Sequence, residues 1–317
     1  MQTCHNYYTR GSALLTAMFV MTLVAIAATA MTLRLQIDIY KTELATKSDQ
    51  YYLASQFVIF WGMTELKSTY KDLNKLNKNG SVAVFPEELK YHYPGMELSG
   101  AIYDLQGRFN LNNLRTKQGR KQFRILLQKL NPTLEENRIQ TITRSAWYWQ
   151  NSFQIGRGND SFTQAFLKEK PPTLPAHMPF VSISELRVIP GMSAEIMNRI
   201  SPYITALPTE TTVNINTSPK PILATLGAGL TSEQIDKIIE KRAQKPINKP
   251  EMLKSFFEKY NISKETLGIQ SNFFLIAAHA TNKERTFTNY SLIQIIPDKK
   301  NKKKVRITLL RESFNTL

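Results

Sequence analysis

Residues Ser12–Leu33 form an uncharged, almost wholly apolar run, SALLTAMFVMTLVAIAATAMTL, framed by Arg10 and Arg34. Its 22 residues make roughly 33 Å of helix at about 1.5 Å per residue, enough for the ~30 Å hydrocarbon core of a bilayer. In lipid such a segment satisfies its own backbone only as a helix. The polar leader before it has no acidic residue, which favours a cytoplasmic N-terminus. Beyond Arg34 the helical pattern continues to about Asn77. Ile59, Met63, Leu66, Tyr70 and Leu73 recur at spacings of four and three, one stripe of an amphipathic helix that would pack on a sheet. Asn74–Gly80 (NKLNKNG) carries stop signals. One very long N-terminal helix is predicted.

The pattern then changes. Ala101-Ile102-Tyr103 and Arg108-Phe109-Asn110-Leu111 flank Gly107, which predicts a β-hairpin turning near Leu105-Gln106-Gly107. Helical periodicity follows at about Lys117–Leu130 and Thr133–Trp149, separated by Asn131-Pro132. Gly156–Pro179 reads as a loop. Two helical hairpins follow, Ser182–Ile204 and Pro219–Arg242, turning at Ile189-Pro190-Gly191 and Gly227-Ala228-Gly229. Between them Thr212–Pro219 alternates and then turns, and Lys249–Tyr260 is again helical. Asn272–Ala280, Arg285–Ile296 and Lys304–Arg311 are rich in β-branched and aromatic residues and read as strands. The expected class is α+β: a long N-terminal helix on an antiparallel sheet, interrupted by a large all-α insert.

The leader decides what kind of anchor the apolar run is. A secretory signal peptide, with Ala25-Ile26-Ala27 or Ala28-Thr29-Ala30 mimicking a cleavage site, and a plain signal anchor are both open. The favoured reading is the type IV prepilin pattern, with cleavage between Gly11 and Ser12 and the apolar helix kept on the mature chain. Most pilin-like subunits would carry Glu at mature position five. Here that position is Thr16. A carboxylate in lipid is costly and usually pairs with the N-terminal amine of a neighbouring subunit. A subunit without it suits the filament tip, where no subunit lies above.

Composition narrows the chemistry. Lys and Arg number 41 against 25 Asp and Glu, a formal +16, and loss of the leader removes only Arg10 among them. The one cysteine, Cys4, lies in the leader, so no disulfide supports the mature chain. No metal motif, Walker loop or nucleophile elbow occurs, so no enzyme class is indicated. Lys299–Lys304 holds five lysines in six positions, read as a solvated hairpin tip, with anionic headgroups or an acidic partner as the alternative. Trp147, Tyr148 and Trp149 are expected in a core rather than on a surface patch.

Four stretches together resemble the type II secretion minor pseudopilin K family (general secretion pathway protein K). They are Arg10-Gly11-Ser12-Ala13-Leu14-Leu15 without Glu at position 16, Asp104–Asn112 (DLQGRFNLN), Ser182–Met192 (SISELRVIPGM) and Val213–Thr217 (VNINT). The resemblance implies cleavage at Gly11–Ser12 and N-methylation of Ser12 by the prepilin peptidase. It implies a pilin-like domain with inserted helix-hairpin-helix or SAM-like units, and assembly with minor pseudopilins I and J into a tip complex. It also implies a single-pass protein of the bacterial inner membrane with its large domain in the periplasm, near the secretion platform and secreted substrate. The expected organisation is leader 1–11, transmembrane helix 12–33, pilin-like domain 34–112, helical insert 113–270 and pilin-like C-terminal strands 271–317.

Calcium binding is a family trait, but many members carry an acidic segment where this chain reads Ser145–Asn151 and Gly158-Asn159-Asp160. Asn151, Asn159 and Asp160 are the remaining candidate ligands, and the expectation is against a tight site because Ca²⁺ wants six to eight oxygens. The alternative function is a membrane-tethered helix-hairpin-helix DNA-binding protein, or a type IV pilus minor pilin in DNA uptake. Nucleic acid is the disfavoured partner, because Glu195 stands where a phosphate would sit.

Overall fold

A five-stranded antiparallel sheet and one helix lying on it organise the C-terminal part of the molecule. The computed structural model describes residues 9–69, 73, 75–152, 160–227, 229–283, 285–298 and 305–315. Contacts divide the chain into two units, Met1–Ala54 and Ser55–Leu317.

In the first unit the chain is helical from Thr9, within α1 (Thr9–Thr69). The apolar run is fully exposed, with Leu14, Phe19, Met21 and Ile26 all open to solvent. Such a surface is unsustainable in water and is what a bilayer would cover. Within the described residues α1 runs to Thr69 and residues 75–77 are not helical, in keeping with the stop signals at Asn74–Gly80; Tyr70 of the expected stripe lies outside the described residues.

The second unit begins within α1. After it come β1 (Ala83–Val84), β2 (Glu97–Asp104), β3 (Phe109–Asn110), α2 (Lys117–Leu130), α3 (Glu136–Trp149), α4 (Ser161–Leu167) and α5 (Ala194–Ile200). Next are β4 (Ile204–Thr205), β5 (Val213–Asn214), α6 (Lys220–Leu223), α7 (Ser232–Gln244), α8 (Pro250–Tyr260) and β6 (Leu267–Gly268). β7 (Phe273–Thr281), β8 (Thr286–Pro297) and β9 (Val305–Phe314) close the described chain. The sheet runs β1-β2-β7-β8-β9, so β2 pairs with a strand that follows some 170 residues later, Ile102 facing Ile276.

The two sheet faces obey the period of two. Gly100, Ile102 and Ile276 face α1, where Val58, Ile59 and Leu66 are buried. The approach is close: a Cβ on Gly100 would lie 2.5 Å from Val58, and one on Gly62 would lie 2.7 Å from Ile276. Polar bonds fix the register of the helix on the sheet, Gln56 to Glu312 at 2.6 Å and Asn289 to Ser55 at 3.2 Å. On the opposite face Leu105, Phe273, Leu275 and Leu292 form a cluster with Leu207.

Three expectations are corrected here. The hairpin about Gly107 does not form. β2 ends in a 3₁₀ turn at Leu105–Gly107, and β3 leaves to pair in parallel with β4, Phe109 facing Ile204. The inserted segment is not all-α, because β4, β5 and β6 lie in it, β5 pairing in parallel with β6 and β4 with β3 just before it. The stretch expected to be loop at Gly156–Pro179 contains α4, whose Phe166 is fully buried. The helix-rich insert has two cores. One gathers Phe109, Phe123, Leu126, Ile142, Trp149 and Phe180. The other gathers Ile215, Leu223, Ile238, Ile247 and Phe256.

Candidate assembly site

The anchor residues lie at the start of α1. Gly11 and Ser12 are in helical backbone. Thr16 Oγ1 donates within its own helix, 3.1 Å from the Ser12 carbonyl oxygen and 3.0 Å from that of Ala13. The hydroxyls of Thr22, Thr29 and Thr32 likewise bond carbonyls one turn back, at 2.8, 2.8 and 2.9 Å. Every threonine hydroxyl of the apolar run is therefore satisfied without water, as a lipid environment requires. At position 16 there is no ionisable group to meet an amine from elsewhere.

The two family-like stretches Asp104–Asn112 and Val213–Thr217 meet at a buried polar joint. Asp104 Oδ2 accepts hydrogen bonds from Asn214 Nδ2 at 2.8 Å, Thr217 Oγ1 at 2.6 Å and Ser271 Oγ at 2.7 Å. Its Oδ1 accepts from the Gln106 N–H at 2.8 Å. Burial pushes this carboxyl above its usual range, against the four hydrogen bonds that favour its charged form.

Around it, asparagine side chains stand in for strand pairing. Asn112 donates to the Phe180 and Leu207 carbonyls and accepts from the Phe180 N–H. Asn110 Oδ1 accepts from Leu207 N–H, and its Nδ2 donates to Thr209. Asn216 both donates to the Ile247 carbonyl and accepts from its N–H, each at 2.9 Å. The Asn110 and Asn112 bonds tie the segment after β2 to loops about 70 to 100 residues away, and Asn216 ties the segment after β5 to a loop 31 residues on. Sequence reading marked the residues but not this role. Their clustering as Asn in short turn-like stretches was the available signal, since Asn carries both a donor and an acceptor in peptide-like geometry.

Of the candidate calcium ligands, Asn159 lies outside the described residues. Asn151 and Asp160 both approach Tyr148: the Asn151 N–H donates to the Tyr148 carbonyl, and the Tyr148 hydroxyl donates to Asp160 Oδ2. Asp160 Oδ1 caps α4 by accepting from the Thr163 N–H at 2.7 Å. Burial opposes its charge, but these hydrogen bonds outweigh it and hold the carboxyl below its usual range. The Asn151 carbonyl oxygen accepts from His177 Nδ1 at 2.8 Å. The set offers one carboxylate, already engaged through both oxygens, and does not fit a tight calcium site. Among the described residues no cluster of three or more His, Cys, Asp or Glu is present.

Trp149 is buried, stacked on Phe180 at 6.0 Å, and donates from Nε1 to Glu185 at 3.1 Å. Trp147 is half-buried under the Arg120 guanidinium, 5.3 Å away. The helical turns at Gly191 and Gly227–Gly229 use left-handed glycines, with φ of 84°, 61° and 99°. Each is followed by a helix whose first turn carries an acid, Glu195 in α5 and Glu233 in α7. An acid at a helix N-terminus competes with a phosphate for the same N–H groups. The Lys299–Lys304 cluster lies outside the described residues.

Family models described as type II secretion system (T2SS), protein K match residues 107–209 and 213–267. The type II secretion system protein K of Aeromonas hydrophila is 28% identical over 249 residues, 72% of each chain. That of Pseudomonas aeruginosa is 31% identical over 156 residues, 47% of this chain and 46% of its own length. A solved chain from the crystal structure of the GspK-GspI-GspJ complex of the enterotoxigenic Escherichia coli type 2 secretion system has the same fold. It aligns with a TM-score of 0.64 at 20% identity, over 87% of this chain and all of that one.

Proposed function

Because the chain belongs to the type II secretion system protein K family, we propose that it is the minor pseudopilin at the tip of a secretion pseudopilus, where it primes and caps assembly. The observation that carries the tip position is Thr16, whose hydroxyl is bonded within its own helix and offers no charge to a neighbour's amine. In this reading the prepilin peptidase cleaves between Gly11 and Ser12 and methylates the new amine of Ser12. The leader is 1–11 and the anchor 12–33, held in the bacterial inner membrane with the large domain in the periplasm. Ala17, Ala25, Ala27, Ala28 and Ala30 let neighbouring helices approach closely.

The sheet domain comprises 34–112 and 271–317, and the insert comprises 113–270. The insert adds bulk that obstructs the next subunit, so the chain terminates the filament while supporting protein export. It assembles with minor pseudopilins I and J on the inner-membrane platform, near the secreted substrate. The shared fold with a chain solved in a GspK-GspI-GspJ complex supports these partners. The role is structural: it assigns no catalysis, uses no cofactor and involves no nucleic acid.

Co-purification tests it. The periplasmic domain mixed with those of pseudopilins I and J should elute as one ternary complex. Separate elution of this chain at micromolar concentrations rules the reading out.

A further inference from the structure

We infer that the groove between α2 and α3 is a binding site for a short acidic segment of a partner polypeptide. Lys117, Arg120, Lys121 and Arg124 from α2, with Arg144 from α3, line a cleft of about 380 Å³ floored by Gln140 and Thr143. Like charges at i,i+4, as in Lys117/Lys121 and Arg120/Arg124, each oppose helix formation. Among the described residues a single carboxylate answers them, Glu136, which bonds Arg124 and Gln140. Lys117, Lys121 and Arg144 are exposed and make no ion pair among the described residues. The fold therefore tolerates a repulsion that an anionic ligand would relieve.

The groove is also partly preorganised. Arg120 is held by donation to the Leu114 and Arg115 carbonyls at 3.0 and 2.8 Å and by its place over Trp147. The first turn of α2, where Lys117 sits, carries no acid, so the positive helix end adds to the field. From Lys117 to Arg124 the helix rises roughly 10 Å, the length of about three residues of extended peptide. That footprint suits a run of two or three Asp or Glu, which planar guanidinium groups bind in a fork. The inference concerns the chain alone and does not depend on the tip position.

The test uses the full chain in a non-ionic detergent at low and physiological salt. The probes are labelled hexaglutamate, hexaglutamine, inorganic phosphate and a short DNA duplex. The site predicts that hexaglutamate binds at least tenfold tighter than hexaglutamine. It also predicts that Lys117→Gln/Lys121→Gln/Arg144→Gln weakens hexaglutamate tenfold or more. A control with the same charge loss at the C-cap of α7 and on α8, Lys245→Gln/Lys254→Gln/Lys259→Gln, should stay within twofold of the parent. Equal weakening by both variants overturns the inference, as does hexaglutamate binding no better than hexaglutamine. Displacement of hexaglutamate by DNA or phosphate at lower concentration than unlabelled hexaglutamate also overturns it, in favour of a phosphate site.

Discussion

Asn214 donates a 2.8 Å hydrogen bond to the Asp104 carboxylate, joining the last residue of β2 to a strand pair of the insert 110 positions later. Thr217 and Ser271 converge on the same oxygen. The sheet and the helix-rich insert thus share one buried acceptor, and the insert is fastened where it leaves and re-enters the sheet. A rigid joint of this kind is what a cap needs if bulk in the insert is to obstruct a neighbouring subunit.

Asp104→Ala removes the acceptor from four donors at once. Stranding buried donors costs about 1–3 kcal/mol each, and partial relaxation makes about 3 kcal/mol the expected loss in urea unfolding of the periplasmic domain. Asp104→Asn should cost less. It should also change the pH dependence, because the folded carboxyl titrates above its unfolded value of about 3.9. An acid with a raised folded pKa binds its proton more tightly when folded. Its contribution is then complete below the unfolded pKa and is lost as pH rises through the folded one. Stability of the parent should fall over that window, and Asp104→Asn should lack this component. A parent and variant with parallel pH profiles would refute the assignment.

Gly100→Ala places a Cβ 2.5 Å from Val58 and 2.7 Å from the Ala277 carbonyl oxygen. The second contact is β7 backbone and cannot swing aside, so the β2–β7 pairing must distort while Val58 on α1 is pushed away. Overpacking of this type costs about 1–3 kcal/mol. The check is a lowered urea midpoint with accelerated amide exchange in β2 and β7. An unchanged midpoint would mean that the helix does not sit this close.

Trp149→Ala should cost about 3–5 kcal/mol, the usual loss for a buried aromatic, since Trp149 packs on Phe166 and Phe180. Trp147→Ala should cost about 1 kcal/mol, in keeping with a cation–π contact near the surface. Thermal unfolding of the two variants orders them directly, and the reverse order would place the wrong tryptophan in the core.

Gly11→Lys should block processing. Intact-mass spectrometry of the membrane-purified parent should show a chain starting at Ser12 and carrying one extra methyl group. The variant should keep Met1 or Gln2 as its first residue. A parent that begins beyond Ala25 would instead mark the apolar run as a cleaved signal peptide.

Local pattern was enough for the elements whose partners are close or whose periodicity is long. Lys117–Leu130 appears as read, and the three late strands appear within three residues of their expected ends. Most of the failures involve partners far away in sequence. Gly107 looks like a hairpin turn, but its smallness serves a close approach: a Cβ there would stand 2.9 Å from the Thr217 carbonyl oxygen. Phe109 pairs with Ile204, which no window around residue 107 contains. α4 has only 7 residues, too few for a periodic signal, and its Asp160 cap sits in a stretch that otherwise reads as turn. Asn110, Asn112 and Asn216 were legible as part of a resemblance. Their work as cross-links needs the fold, because an Asn bonding distant backbone is indistinguishable in sequence from one in a turn. The basic groove escaped for the same reason, since Arg144 joins the α2 cations only when α3 packs against α2.

The most direct test of the tip assignment is the position of the chain on assembled filaments. Pseudopili sheared from cells that overproduce the major pseudopilin can be labelled with gold-conjugated antibody against the insert, residues 113–270. A cap predicts gold at one end of each filament and none along its length. Gold spaced along the shaft, in proportion to filament length, would contradict it.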